Sequence, residues 1–343
     1  MTDQVRILGV GALATPGHEA AQSTPPLPPG MNARKARRLC RQSRLALYAA
    51  DLAWSRAGLT GQDGALLVAL THGSTSFLRD FHDYLFDHGP EAASPNAFAG
   101  GVAGAPLAAI SARLGLTLGG ATLVGYEACG LELLNLAARR VSSGDTPACL
   151  AGACEEYSDL VHHVYAARGW YPDLPPPHLP YPRQAGDAPS GLGMAEGAAF
   201  AALAPADGPA PAALHLLYEP LDDPASALGE VDLILSGASG GPQDRAELTL
   251  LQALLHAPAP SPALAFAKPA HGEAFAVGPL LALELAWRIL LEGEAVPKYP
   301  LHPSLPSRAG ARAGKPRKVM LLAADRHGGA QAATLHAGTA PGR

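Results

Sequence analysis

The stretch Thr122-Leu-Val-Gly-Tyr-Glu-Ala-Cys-Gly-Leu-Glu-Leu-Leu-Asn-Leu-Ala-Ala-Arg-Arg-Val141 decides how the rest of the chain is read. It reads as a strand, a sharp turn at Tyr126-Glu127-Ala128, and a helix. Leu131, Leu134, Ala138 and Val141 recur at helical spacing and give that helix an apolar face. A strand-turn-helix junction holds one side chain at the mouth of a pocket, with the helix's unpaired N–H groups directed at it. The geometry suits a nucleophile facing an acyl group, yet the residue presented here is Glu127.

The chain has 343 residues, 48% of them hydrophobic, and a formal net charge of −5. That is enough for a large single domain or two fused halves around an extensive core. No apolar run approaches the roughly 20 residues needed to span a bilayer. The start, Met1-Thr-Asp-Gln-Val-Arg-Ile7, lacks a basic segment leading into a long apolar one, so no signal peptide and no membrane partner are expected. The mild acidity gives no footprint for nucleic acid, and the basic cluster Arg34-Lys-Ala-Arg-Arg38 reads as a solvated helix face. Cys40, Cys129, Cys149 and Cys154 form neither a metal-ligand pair nor a disulfide framework, which suits the reduced thiols of a cytoplasmic protein. His72 and the His162-His163 pair have no third ligand at coherent spacing, so no metal and no cofactor are expected.

Outward from the central stretch, strands and helices alternate in both directions. Val5 to Leu13, Ala65 to Leu70, Ala148 to Cys154 and Gly197 to Leu203 read as buried strands in one half. His215 to Tyr218, Val231 to Ser236 and Lys318 to Ala324 repeat the logic in the other. Between them lie helices over Arg34 to Ala57, a segment carrying Phe77, Phe81, Tyr84 and Leu85, Asp244 to Leu255, and Ala274 to Leu291. The alternation argues parallel sheets covered by helices, an α/β layered sandwich of two pseudo-repeated halves, residues 1–206 and 207–343, acting as one integrated unit. Trp170 to Pro189 is proline-rich and reads as a long ordered loop near the pocket.

Several segments together resemble the β-ketoacyl synthase family of condensing enzymes. Val5 to Ala12 is similar to the family's opening strand. Glu127-Ala-Cys-Gly-Leu131, with the Ala-Ala-Arg-Arg run and Ser143-Gly-Asp145, is similar to its nucleophile elbow. Leu150-Ala-Gly-Ala153, Gly193-Met-Ala-Glu-Gly197, Asp244-Arg-Ala-Glu247, Lys268 and the Gly328-Gly329 turn follow in the family's order. The resemblance implies the thiolase-like α-β-α-β-α sandwich. Active members use a cysteine at the elbow and two histidines. The resemblance puts that cysteine's position at Glu127, the first histidine near Ser236-Gly237, and the second at Glu273, with His327 in place of the glycine-rich gate's phenylalanine. All three catalytic positions are altered. The pattern is similar to the chain-length factor of type II polyketide synthases, a silent partner that commonly carries Gln at the elbow. It implies a heterodimer with an active ketosynthase, an acyl carrier protein reached through that complex, and a role in setting polyketide or polyene length.

Competing readings remain open at this point. Cys129, two residues past the elbow, reads as a structural thiol rather than a rescue nucleophile. Glu127 and Glu273 together would make an acid/base dyad for a divergent acyl-transferring or hydrolysing relative. The blander alternative has both carboxylates plugging a vestigial pocket and held by each other, by Lys268 or by backbone donors. A stand-alone acyl-binding module is a third reading. Gly100, Gly101 and Gly104 lower helix stability between Ser94 and Leu114, so close packing or vacant space must justify them. In the resembling family this region packs at the dimer interface. That makes Phe98, Val102 and Pro106, with Tyr126, the candidates for lining a shared tunnel.

Overall fold

The structure is a computed structural model and describes residues 4–59, 64–171, 192–207, 214–218, 231–240, 244–255, 262–298 and 314–337. Much of the loop expected over Trp170 to Pro189, and the 208–213 stretch beside the expected boundary between halves, lie outside these.

Ten strands hydrogen-bond in the order β3-β2-β4-β5-β1-β6-β10-β9-β7-β8. The first five are β1 (Gln4–Pro16), β2 (Ala65–Leu70), β3 (Gly120–Val124), β4 (Cys149–Glu155) and β5 (Ala195–Pro205). The second five are β6 (Leu214–Tyr218), β7 (Leu233–Ser236), β8 (Ala263–Phe266), β9 (Lys318–Ala324) and β10 (Ala330–Ala337). Read outward from the middle, each half runs first, fifth, fourth, second, third strand, so the halves repeat one topology about the β1–β6 pairing.

The sheet is mixed rather than parallel throughout. β2 pairs in parallel with β3 and β4, as β7 does with β8 and β9, but β5 and β10 run antiparallel to their neighbours. For β10 the cause is loop length. Only a turn separates β9 from β10, and a short turn can join antiparallel strands alone. Asp325 closes it, accepting from His327 N at 2.7 Å and Gly329 N at 3.1 Å while its own N–H donates to the Gly329 carbonyl.

Alternation along the strands sets the layers. Leu67 and Ala69 of β2 share a buried cluster with Leu233 and Leu235 of β7, Val319 and Leu321 of β9, and two helices, α7 (Cys129–Ser142) and α10 (Gly278–Trp287). The intervening Leu66 and Val68 face α3 (Arg41–Arg56), while Ile234, Met320 and Leu322 face α9 (Asp244–Leu255). The result is helix, sheet, helix pair, sheet, helix. α10 sits in the middle layer, and eight of its ten residues are buried, as expected for a helix that is apolar on every side.

Some boundaries differ from the sequence reading. The helix expected over Arg34 to Ala57 is a short turn, α2 (Ala33–Ala36), and then α3, whose N-cap Cys40 accepts from Ser43 N. The helix expected over Ala274 to Leu291 is a 3-10 turn, α10 and a π turn over Arg288–Glu292. Ser94 to Leu114 forms two helices, α5 (Pro95–Gly101) and α6 (Ala105–Leu114). A further helix, α8 (Asp159–Ala166), follows β4.

Gly130 places the start of α7 against Ala276, where a Cβ would lie 1.9 Å from the carbonyl oxygen. Alanine normally stabilises a helix relative to glycine, but overpacking here should cost about 1–3 kcal/mol. Gly130→Ala is therefore expected to lower the melting temperature measurably. Gly104→Ala, where a Cβ meets nothing within 4 Å, should leave it unchanged or slightly raised.

Candidate functional site

The elbow forms as the central stretch requires. β3 ends at Val124, Cys129 N donates to the Tyr126 carbonyl at 3.0 Å, and α7 begins. The turn leaves Tyr126 half exposed and Glu127 1% exposed. Burying a carboxylate requires a compensating partner, and it comes from the β9–β10 turn. Arg326 donates to Glu127 Oε1 through Nε at 3.1 Å and through Nη2 in a short contact, and Nη2 also donates to the Tyr165 hydroxyl at 2.9 Å. Burial works against the Arg326 charge. The hydrogen bonds and charge of Glu127 outweigh it and raise the guanidinium above its ordinary value. The rings of Tyr126, Tyr165 and Trp170 lie 5.1–5.5 Å from its central carbon. Among the described residues Glu127 Oε2 has no hydrogen-bond partner.

The network continues beyond Tyr165. His72 Nε2 lies 3.0 Å from the Tyr165 hydroxyl, and His72 Nδ1 lies 3.6 Å from Glu155 Oε2. The His72 ring packs edge-on against Phe275 at 4.4 Å. Phe275 has a φ of 51°, a strained value for a non-glycine residue. Its N–H donates to Glu273 Oε1 at 2.7 Å, a contact that helps hold this conformation.

Glu273 is fully buried and pairs with buried Lys268, whose Nζ donates to Oε2 at 2.7 Å. Burial opposes the Lys268 charge, but Glu273 outweighs it and raises the ammonium above its ordinary value. Glu127 and Glu273 are thus held by separate cations rather than by each other. That arrangement favours the plugged-pocket reading over the dyad. The half-buried His271, two residues from Glu273, hydrogen-bonds through Nδ1 with the Gly272 carbonyl, and burial lowers its pKa to about 4, so it stays neutral.

Ser236, at the end of β7, hydrogen-bonds Glu247 of α9 in a short contact, and its Oγ also accepts from Ala238 N at 3.2 Å. At Gly237 a Cβ would lie 3.0 Å from the Leu322 carbonyl. The first histidine's position is therefore packed against β9. Cys129 is buried, and burial pushes its thiol up to about 12, as a structural thiol requires.

The Tyr126 and His327 rings pack at a tilt, 4.5 Å between centroids, across the two turns beside the elbow. Phe98 and Val102 are exposed and Pro106 is buried. Gly100 and Gly101 are explained by packing within the chain, since a Cβ on either would press on Phe77 or Leu78 of α4 (Thr75–His88). None of Phe98, Val102 or Pro106 lines the cavity of about 440 Å³ beside the elbow. Its walls come from α8, Trp170, His72 and Arg326. Arg326 and Tyr165 went unread in the sequence because nothing local marks them. Arg326 lies 199 residues from Glu127 and is brought to it only by the second half's hairpin. Among the described residues no group of three or more His, Cys, Asp or Glu is placed to hold a metal ion, and no single helix is long and apolar enough to cross a membrane.

Two outcomes follow from these contacts. Arg326→Ala strands Glu127 as a buried, uncompensated charge and should cost about 3–5 kcal/mol in denaturant unfolding. Glu127→Gln should cost much less, because the amide oxygen still accepts from Arg326. The second outcome concerns pH. Burial raises the Glu247 pKa from 4.5 to about 7, with the Ser236 hydrogen bond acting in the opposite direction. The folded state then holds this proton where the unfolded chain has released it, so stability falls as pH rises across that window, by at most about 1.4 kcal/mol per pH unit. Glu247→Gln should flatten the decline measured between about pH 5 and 7.5, and an unchanged slope would place the titrating group elsewhere.

The comparisons with known proteins agree with this geometry. The family model for the β-ketoacyl synthase N-terminal domain matches residues 13–207, more than half of the chain. No curated protein sequence matches. Among solved structures, the chain is similar to the ishigamide ketosynthase/chain length factor, with a TM-score of 0.74 at 18% identity, covering 99% of this chain and 100% of that one. It is similar to a β-ketoacyl synthase from Burkholderia phymatum STM815, with a TM-score of 0.74 at 16% identity over 99% and 100% of the two chains. It is also similar to the AntDE:AntF structure, a type II PKS acyl-carrier protein in complex with its ketosynthase bound to the hexaketide. There the TM-score is 0.70 at 15% identity over 98% and 99%. The fold is the thiolase-like fold of these structures, and the chain belongs to the β-ketoacyl synthase family.

Proposed function

We propose that this chain is a non-catalytic, ketosynthase-like partner subunit that pairs with an active ketosynthase and shapes the tunnel in which a polyketide or polyene chain grows. The observation that carries the reading is the Glu127–Arg326 pair at the elbow. A carboxylate engaged by a guanidinium is a poor acyl carrier, and the mixed anhydride it would form hydrolyses readily. No histidine stands at Ser236, Gly237 or Glu273 to take a proton or to stabilise an oxyanion. Glu273 is instead committed to Lys268 and the Phe275 N–H.

The surface supports a partner. β3 is an edge strand, and Val124 at its end is 63% exposed. An uncovered edge invites pairing with another chain. Tyr84, Phe86, Phe98 and Val102 add exposed apolar area on α4, α5 and the turn that follows. An acyl carrier protein would reach the complex through the active partner, as the acyl-carrier protein in the AntDE:AntF structure is bound to a ketosynthase.

Co-expression with an active type II ketosynthase should yield a stable heterodimer on size-exclusion chromatography. Glu127→Gln should leave both the complex and its product yield within about twofold. A chain that stays monomeric or pairs only with itself would overturn the reading. So would product formation that falls by orders of magnitude in Glu127→Gln, which would make Glu127 an acid/base group.

A further inference from the structure

We propose that the cavity beside the elbow binds an amphipathic monocarboxylate non-covalently, its head on Arg326 and Arg168 and its apolar chain along Leu160, Val161, Val164 and Trp170. This does not rest on the partner-subunit reading, because it concerns a site outside the altered catalytic positions. The cavity holds about 440 Å³, within the range of small-molecule sites. Two arginines line it, and among the described residues no carboxylate does. The lining also includes apolar Leu160, Val161, Val164 and Trp170, and Leu160 and Val164 on α8 are 47% and 55% exposed. Arginines and apolar side chains lining one cavity are the complement of a chain with one charged terminus.

Arg326 is prepared for such a ligand. Its Nε and Nη2 are committed to Glu127 and Tyr165, which fix the plane of the guanidinium. Its Nη1 has no hydrogen-bond partner among the described residues and leaves two N–H donors at the cavity wall. The surrounding aromatic rings hold the group in place, so little side-chain freedom is lost on binding. Charge selects the head group. Two arginines set against the buried Glu127 leave one uncompensated positive charge, which matches a carboxylate. A phosphate monoester, at about −1.5 to −2 near neutral pH, would exceed it.

The test titrates the purified full-length chain calorimetrically with octanoate, octanol and octyl phosphate. Octanoate should bind at least about tenfold more tightly than octanol, as expected for charge-assisted hydrogen bonds. Arg168→Gln, at an exposed position whose backbone N–H bond to the Tyr165 carbonyl the substitution keeps, should weaken octanoate by about tenfold and leave octanol unchanged. Arg326→Lys keeps a cation for Glu127 while removing the planar donor edge, and should do the same. Octanoate binding no tighter than octanol overturns the proposal, as does octyl phosphate binding tighter than octanoate. Octanoate affinity untouched by both substitutions also overturns it.

Discussion

A carboxylate withdrawn from water must find a cation, and in this chain that requirement ties the two halves together. Glu127 belongs to the first half, at the turn between β3 and α7, and its guanidinium partner belongs to the hairpin that ends the second half. The pair forms only when the middle layer is assembled, because α7 must be seated before the elbow faces the β9–β10 turn. The same assembly brings Phe275 beside His72. The elbow is therefore a structural junction held by charge. In an active family member the same place presents a free nucleophile.

Much of the fold was legible because its layers come from simple periodicities. The strands at Ala65–Leu70 and Lys318–Ala324 and the helix at Asp244–Leu255 fall where apolar runs and helical spacing put them. The elbow was legible for the same reason. β8 and β10 were not read, since Ala263–Phe266 and Ala330–Ala337 are short or alanine-rich and carry little alternation. α8 was missed although it forms one wall of the cavity, and its half-exposed Leu160 and Val164 resemble a solvated helix.

The site was legible at the positions that match a motif and illegible at those that do not. Glu127, Glu273 and Lys268 stand at motif positions, and the sequence reading anticipated the Lys268–Glu273 pair as one of its options. Arg326 is different. Its role depends on a contact across 199 residues that no local pattern records. Tyr165 and His72 share that difficulty, because a tyrosine and a histidine 93 residues apart become neighbours only through β4 and α8.

One substitution would not give this elbow the cysteine and two histidines that the family resemblance implies for active members. A cysteine at position 127 would leave Arg326 without its anion, and no histidine would stand at Ser236, Gly237 or Glu273 to accept its proton. The thiol already nearby offers no substitute. Burial keeps Cys129 protonated, and its sulfur lies where even a Cβ on Gly125 would come within 2.7 Å. At each altered position a different neighbour has closed in: Arg326 on Glu127, Glu247 on Ser236, and Lys268 on Glu273. Each of these contacts gives a buried polar group a partner inside the scaffold, and each joins segments that the fold alone brings together.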